Sequence, residues 1–230
     1  MSESRHILTS FDDALHKLKE KTIGMGIDTQ RNLENSIRGL FERDTELCNQ
    51  TIADDADQDQ LEIEIDAIGT AIIIKFRPLA HDLRMVLSSI KTSTHFESIS
   101  DQSLIIAKRA RKMIKDPTML EVSEIAPLYQ VAGQMLADSF IAYTDTDTSK
   151  ALSVIDREKS LKKTHKTTFR SLSEKLESGN GQTKNILGLI FICRALERIG
   201  KLSINTAEEV IFEETAADIR HGGEIPADIR

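Results

Sequence analysis

With 230 residues, 40% of them hydrophobic and 4% aromatic, the chain can bury one large core or two small ones. Trp is absent, Pro occurs four times, and Leu, Ile, Ala, Glu, Lys and Arg dominate, a composition that predicts an all-helical fold. The net charge of −7 excludes a general nucleic-acid binder, which needs a basic face.

Six helical segments follow along the chain. The first spans about Ser4 to Arg43, loosened near Gly24 and Gly26. Asp44 is placed to cap the second, which runs to Arg77 and is stopped by Pro78. Asp82 is expected to cap the third, which reaches about Lys115 and ends before Pro117. Pro127 falls in the first turn of the fourth, which ends near Tyr143, and 145–149 form a turn. The fifth runs to about Glu177, where Gly179, Asn180 and Gly181 break it, and the sixth covers Thr183 to about Glu213. Beyond Thr215 the tail is polar, with Gly222, Gly223 and Pro226, and is expected to be loosely held.

The third segment carries a stripe of Val86, Ile90, Ser93, Phe96, Ile99, Ser103, Ile106, Ala110 and Met113 at steps of three or four residues, the mark of a buried helix face. Leu61, Ile65, Ile68 and Ile72 do the same on the second. The six helices also read as three repeated. Asp44, Ile52 and Asp55 match Asp147, Ile155 and Glu158 at an offset of 103, and Glu97-Ser98-Ile99 matches Glu197-Arg198-Ile199 at an offset of 100. Two tandem three-helix bundles are therefore expected, over residues 4–116 and 121–214, with Met119 to Glu124 as the joint and 215–230 as the tail.

Cys48 and Cys193 lie far apart in helical patterns and read as buried reduced thiols of a cytosolic protein. Residues Ser2 to His6 lack the layout of a signal peptide, and the longest apolar runs, Ala67 to Ile74 and Ile186 to Cys193, are too short to span a bilayer. Any membrane contact is expected to go through a partner.

Chemistry concentrates on one helix face. Asp55, Asp59, Glu62 and Asp66 are spaced 4-3-4 on the second helix, and Glu97 and Asp101 follow on the third. Glu97 stands nineteen residues after Pro78 and Asp59 nineteen before it, so antiparallel helices bring these carboxylates to one level. A solvated acidic face is the ordinary meaning of such a stripe. Against it, like charges at i,i+3 and i,i+4 repel by about 0.2–0.5 kcal/mol per pair, and the facing helix adds acids rather than lysines. A multivalent cation would turn that repulsion into coordination, and an all-oxygen donor set suits Mg2+, Ca2+, Mn2+ or iron better than zinc. His95 points some 200° away from Glu97 at 3.6 residues per turn and is expected on the surface. No Glu-x-x-His pair occurs on facing helices, and the Glu3/His6 spacing is taken as chance. Phosphate loops and nucleophile elbows are missing, which disfavours an enzyme; a carboxylate-metal hydrolase or oxidase is the alternative.

The stretch Arg77-Pro78-Leu79-Ala80-His81-Asp82-Leu83-Arg84, then Lys91 and Glu97-x-x-x-Asp101, resembles the signature of the PhoU family. Leu61 to Asp66, Glu197-Arg198-Ile199-Gly200 and the ending Ile219-Arg220-His221-Gly222-Gly223 extend the resemblance over nearly the whole chain. It implies two tandem three-helix bundles in a cytoplasmic protein, homodimeric or larger. It also implies a negative regulator of the phosphate-starvation response that links a phosphate ABC transporter, through its ATPase subunit, to a sensor histidine kinase. A metal ion (magnesium, manganese, iron or zinc) on E/D-x-x-x-D motifs belongs to the same picture. The first bundle keeps that pattern in Asp55, Asp59, Glu62, Asp66, Glu97 and Asp101, although its core motif reads Glu-Ser-Ile-Ser-Asp where Arg and Gly are usual. In the second, Lys162, His165 and Phe169 replace the counterparts of Asp59, Glu62 and Asp66, and Lys201 stands where the motif ends in Asp. Only Glu158 and Glu197 remain, and the lysines are expected to pair with them. A paralogue serving another transporter or a stress response is the second reading. Asp82 reads as a cap and not a recognition residue, while Arg77 and Arg84 are open between pairing with acids of the second helix and docking a partner.

Overall fold

In the computed structural model, residues 2–116, 121–179, 183–220, 223 and 225 are described, the side chains of 2–8 and 121 excepted. Eight α-helices account for them: α1 (Ser2–Glu42), α2 (Thr45–Ala53), α3 (Asp55–Phe76), α4 (Ala80–Met113), α5 (Ala126–Asp145), α6 (Thr148–Asp156), α7 (Glu158–Glu177) and α8 (Thr183–Thr215). A 3-10 turn, Glu121–Ile125, leads into α5. No strand is present among the described residues. The protein is all-helical, two three-helix bundles in tandem.

The extra helices come from bends that the repeat shares. The second segment bends at Asp54 and the fifth at Arg157, 103 residues later, each in an αR conformation without a side-chain cap. The turns before them repeat too. Arg43 and Thr146 both take left-handed φ values, 58° and 55°, and the next residues, Asp44 and Asp147, cap α2 and α6 with their carboxylates. Asp44 accepts from the main-chain N–H groups of Glu46 and Leu47, and Asp147 from that of Lys150, satisfying donors that a helix start leaves open.

Other expectations are corrected. The first helix runs unbroken through Gly24 and Gly26, because Leu18, Met25, Leu33, Ile37 and Leu40 form one continuous buried face that outweighs glycine's low propensity. Asp82 is not a cap: Leu79 takes that position, and Asp82 sits inside the first turn, where its charge complements the helix dipole. The tail is held at its start, since Ile219 is buried and Ala217 and Ile225 pack against the core. The breakers Asn180 and Gly181, the joint up to residue 120, the side chains of Glu3 and His6, and His221, Gly222 and Pro226 lie outside the described residues.

The two bundles meet along α4 and α8, and within the first bundle α3 lies against α4. Gly69 makes the second contact close: a Cβ there would come within 2.5 Å of Ile90 Cδ1. That approach is what brings the acidic edges of α3 and α4 together. The buried stripe read on the third segment is in place, with Val86, Ser93, Phe96, Ile99, Ser103, Ile106, Ala110 and Met113 all in the core and Ile90 packed at its margin.

Candidate metal centre

Five of the six acids form one electrostatic cluster. Burial, Asp101 and Asp59 all raise the pKa of Asp55. Burial, Asp101, Glu62 and Asp59 raise that of Glu97, and burial and Asp59 raise that of Asp101. These carboxylates therefore share one neighbourhood on the edges of α3 and α4. Asp66, a turn further along α3, is exposed, and no interaction with the other five is seen among the described residues. Lys108 is the cation that tempers Asp55 and Asp101. Ser98, standing where the family motif has Arg, donates its hydroxyl to Glu97 Oε2 at 3.2 Å.

The side chains fan out in this geometry: no three of the six bring oxygens within 4.8 Å of one another. Convergence on a cation would need these side chains to move. As a donor set, clustered carboxylates, three of them with pKa values raised first by burial and then by their acidic neighbours, fit a hard, multivalent cation. Beneath them lies a polar layer. Thr29 donates to Gln58 at 3.3 Å and Asn32 to Ser100 at 3.1 Å, all four buried.

At the equivalent place in the second bundle the charges are paired. Lys162 reaches Glu158 at 2.7 Å and Lys201 reaches Glu197 at 2.7 Å. His165 Nε2 comes within 3.5 Å of Glu197 without making a hydrogen bond. The expected pairing of the lysines with the two remaining glutamates is present. Below it, Leu161 packs so tightly on Gly200 that a Cβ there would come within 2.5 Å of Leu161 Cδ2.

The expectation for His95 is overturned. It is half-buried in a cleft of about 620 Å3 between α4 and α8, with Lys91, Arg198, Glu209 and Arg220. Burial, then Lys91, Arg198 and Arg220, push its pKa down to about 4, so it is neutral at physiological pH. Lys91 meets the buried Glu209 at 3.1 Å, a pair that ties α4 to α8. A signal for Glu209 existed: Leu202, Thr206, Glu209 and Glu213 step 4-3-4 along a buried face of α8. Cys48 and Cys193 are free and buried, their thiols pushed up to about 11 and 12, and so unreactive.

A model of the PhoU domain matches residues 22–110 and again 125–210, one copy for each bundle. The chain belongs to the PhoU family. It is 30% identical over 214 residues to the phosphate-specific transport system accessory protein PhoU homolog of Zymomonas mobilis, covering 93% of this chain and 90% of that one. It is 28% identical over 223 residues to the Pseudomonas putida homolog of the same description, covering 96% and 87%. The crystal structure of PhoU from Pseudomonas aeruginosa superposes with a TM-score of 0.85 at 26% identity, over 88% of this chain and 98% of that one. No helix among the described residues is long and apolar enough to cross a membrane.

Proposed function

We propose that this PhoU-family protein is a regulatory scaffold of a phosphate-specific transport system. The observation that carries the proposal is the pair of PhoU domains spanning both bundles, in a chain whose relatives are described as accessory proteins of that system. The scaffold works in the cytoplasm as a homodimer, touches the membrane only through the transporter's ATPase subunit, and keeps a sensor histidine kinase quiet while phosphate is plentiful. No catalytic step is part of this role. Asp55, Asp59, Glu62, Glu97 and Asp101, with Asp66 at the rim, would hold a divalent or trivalent cation (magnesium, manganese, iron or zinc), whose charge would offset their repulsion and stiffen the contact of α3 with α4.

The test is genetic. Deleting the gene should derepress alkaline phosphatase in phosphate-rich medium; expression that stayed low would refute the signalling role. The paired charges of Glu158, Lys162, Glu197 and Lys201 favour a second reading, a diverged paralogue that serves another transporter or a stress response. Under that reading the deletion leaves alkaline phosphatase repressed while another uptake or stress phenotype appears.

A further inference from the structure

The start of α4 and the end of α8 carry a group of side chains that the scaffold role does not use. His81 stands on the first turn of α4, inside the Arg77-to-Arg84 signature, and Glu213 and Glu214 stand on the last turns of α8. One ring nitrogen of His81 and one carboxylate oxygen from each glutamate lie within 4.8 Å of one another, the only such triple of donors among the described residues. His81 Nε2 and Glu214 Oε1 are 3.0 Å apart.

Glu213 is the residue that an ordinary surface ion pair leaves unexplained. It is only 3% exposed, yet among the described residues its carboxylate has neither a hydrogen bond nor an ion pair. The cations nearby are engaged elsewhere. Lys19 donates to Thr146 Oγ1 at 3.0 Å, and Arg84 Nε donates at 2.8 Å to the main-chain carbonyl of Glu213, not to its side chain. Burial accordingly pushes the Glu213 carboxylate up, against the pull of Lys19, His81 and Arg84. A carboxylate so nearly buried and without a partner is costly as the anion, a cost relieved by a proton or by a bound cation. The C-terminal end of a long helix, where the unpaired carbonyls concentrate negative potential, adds to the attraction for a cation.

We propose that His81, Glu213 and Glu214 form a binding site for a transition-metal dication of the zinc class. One imidazole nitrogen and two carboxylate oxygens are a three-ligand set with room for water in the fourth position, and imidazole selects zinc-like ions over magnesium or calcium. The bound ion would neutralise Glu213 and pin the beginning of α4, in the first bundle, to the end of α8, in the second. This site shares no residue with the acid cluster on α3 and α4, and it does not depend on the scaffold role.

The experiment is a titration of the metal-free, full-length protein with ZnCl2 by calorimetry, with thermal melts alongside. Wild type should take up zinc and melt at a higher temperature. His81→Ala and Glu214→Gln, both at exposed side chains, should keep the helical circular dichroism and weaken the zinc step at least tenfold. Glu213→Gln should raise the metal-free melting temperature and abolish the zinc-induced shift. The double variant Glu97→Gln, Asp101→Asn should leave this step intact. A zinc step unchanged in His81→Ala and Glu214→Gln would overturn the proposal. So would a step that vanishes only in the Glu97, Asp101 variant, since zinc would then belong to the acid cluster.

Discussion

The two bundles have the same backbone device and opposite electrostatics. Each starts its second helix at a capping aspartate, bends at the same place and lays the next helix edge against its neighbour. In the first bundle that edge gathers five carboxylates over a buried polar layer of Thr29, Asn32, Gln58 and Ser100. In the second it carries Glu158–Lys162 and Glu197–Lys201 pairs over Leu161 and Gly200. Duplication supplied the geometry twice. The first edge carries a charge surplus that a cation could relieve, and the second pairs its two glutamates with lysines.

That contrast can be broken most severely at the apolar layer. Leu161→Ala opens a cavity against Gly200 and should cost about 2–5 kcal/mol in a urea or thermal unfolding experiment. A loss well below that range would mean that the second bundle does not rest on this packing.

A smaller effect of opposite sign is expected in the first bundle. Asp101→Asn removes repulsion with Asp55 and Glu97, and should stabilise the metal-free protein at neutral pH by about 0.2–0.5 kcal/mol per like-charged pair. The sign follows from the pKa directions. Asp55, Glu97 and Asp101 are raised in the folded state, so the protonated forms favour folding, and this contribution is lost as pH rises through the raised values. The gain from Asp101→Asn should therefore vanish below about pH 4, where ordinary carboxylates protonate. Thermal melts across pH check both the sign and the window.

The smallest effect belongs to the surface pairs. Lys201→Met should cost only about 0.3–0.5 kcal/mol, screened by salt, because the i,i+4 pair with Glu197 is half-exposed. A large loss would show that the second bundle depends on its ion pairs as the first would depend on a metal.

Much of this was legible before any coordinates. The Asp44 cap, the repeat offset, the buried stripe of α4 and the meeting of the acidic edges of α3 and α4 follow from spacing alone, because helix periodicity and an antiparallel turn are local rules, although Glu97 faces Glu62 ahead of Asp59. The bends at Asp54 and Arg157 were not, since neither Pro nor Gly marks them and they arise from packing. His95 was misread for a related reason. Its own helix turns it away from Glu97, and only the docking of α8 decides that the side it faces is a cleft, not solvent. Glu209 and Glu213 were hidden by their charge, although their 4-3-4 step with Leu202 and Thr206 marks a buried face.

Of the two equivalent helix edges, the proposed all-carboxylate cation site belongs to that of the first bundle alone. Calorimetric titration of metal-free protein with Mn2+ tests it most directly, comparing wild type with Glu97→Gln and Glu197→Gln. Glu97→Gln should weaken binding at least tenfold, about 1.4 kcal/mol, and Glu197→Gln should leave it unchanged. Equal losses in the two variants, or wild-type protein that takes up no Mn2+, would contradict it.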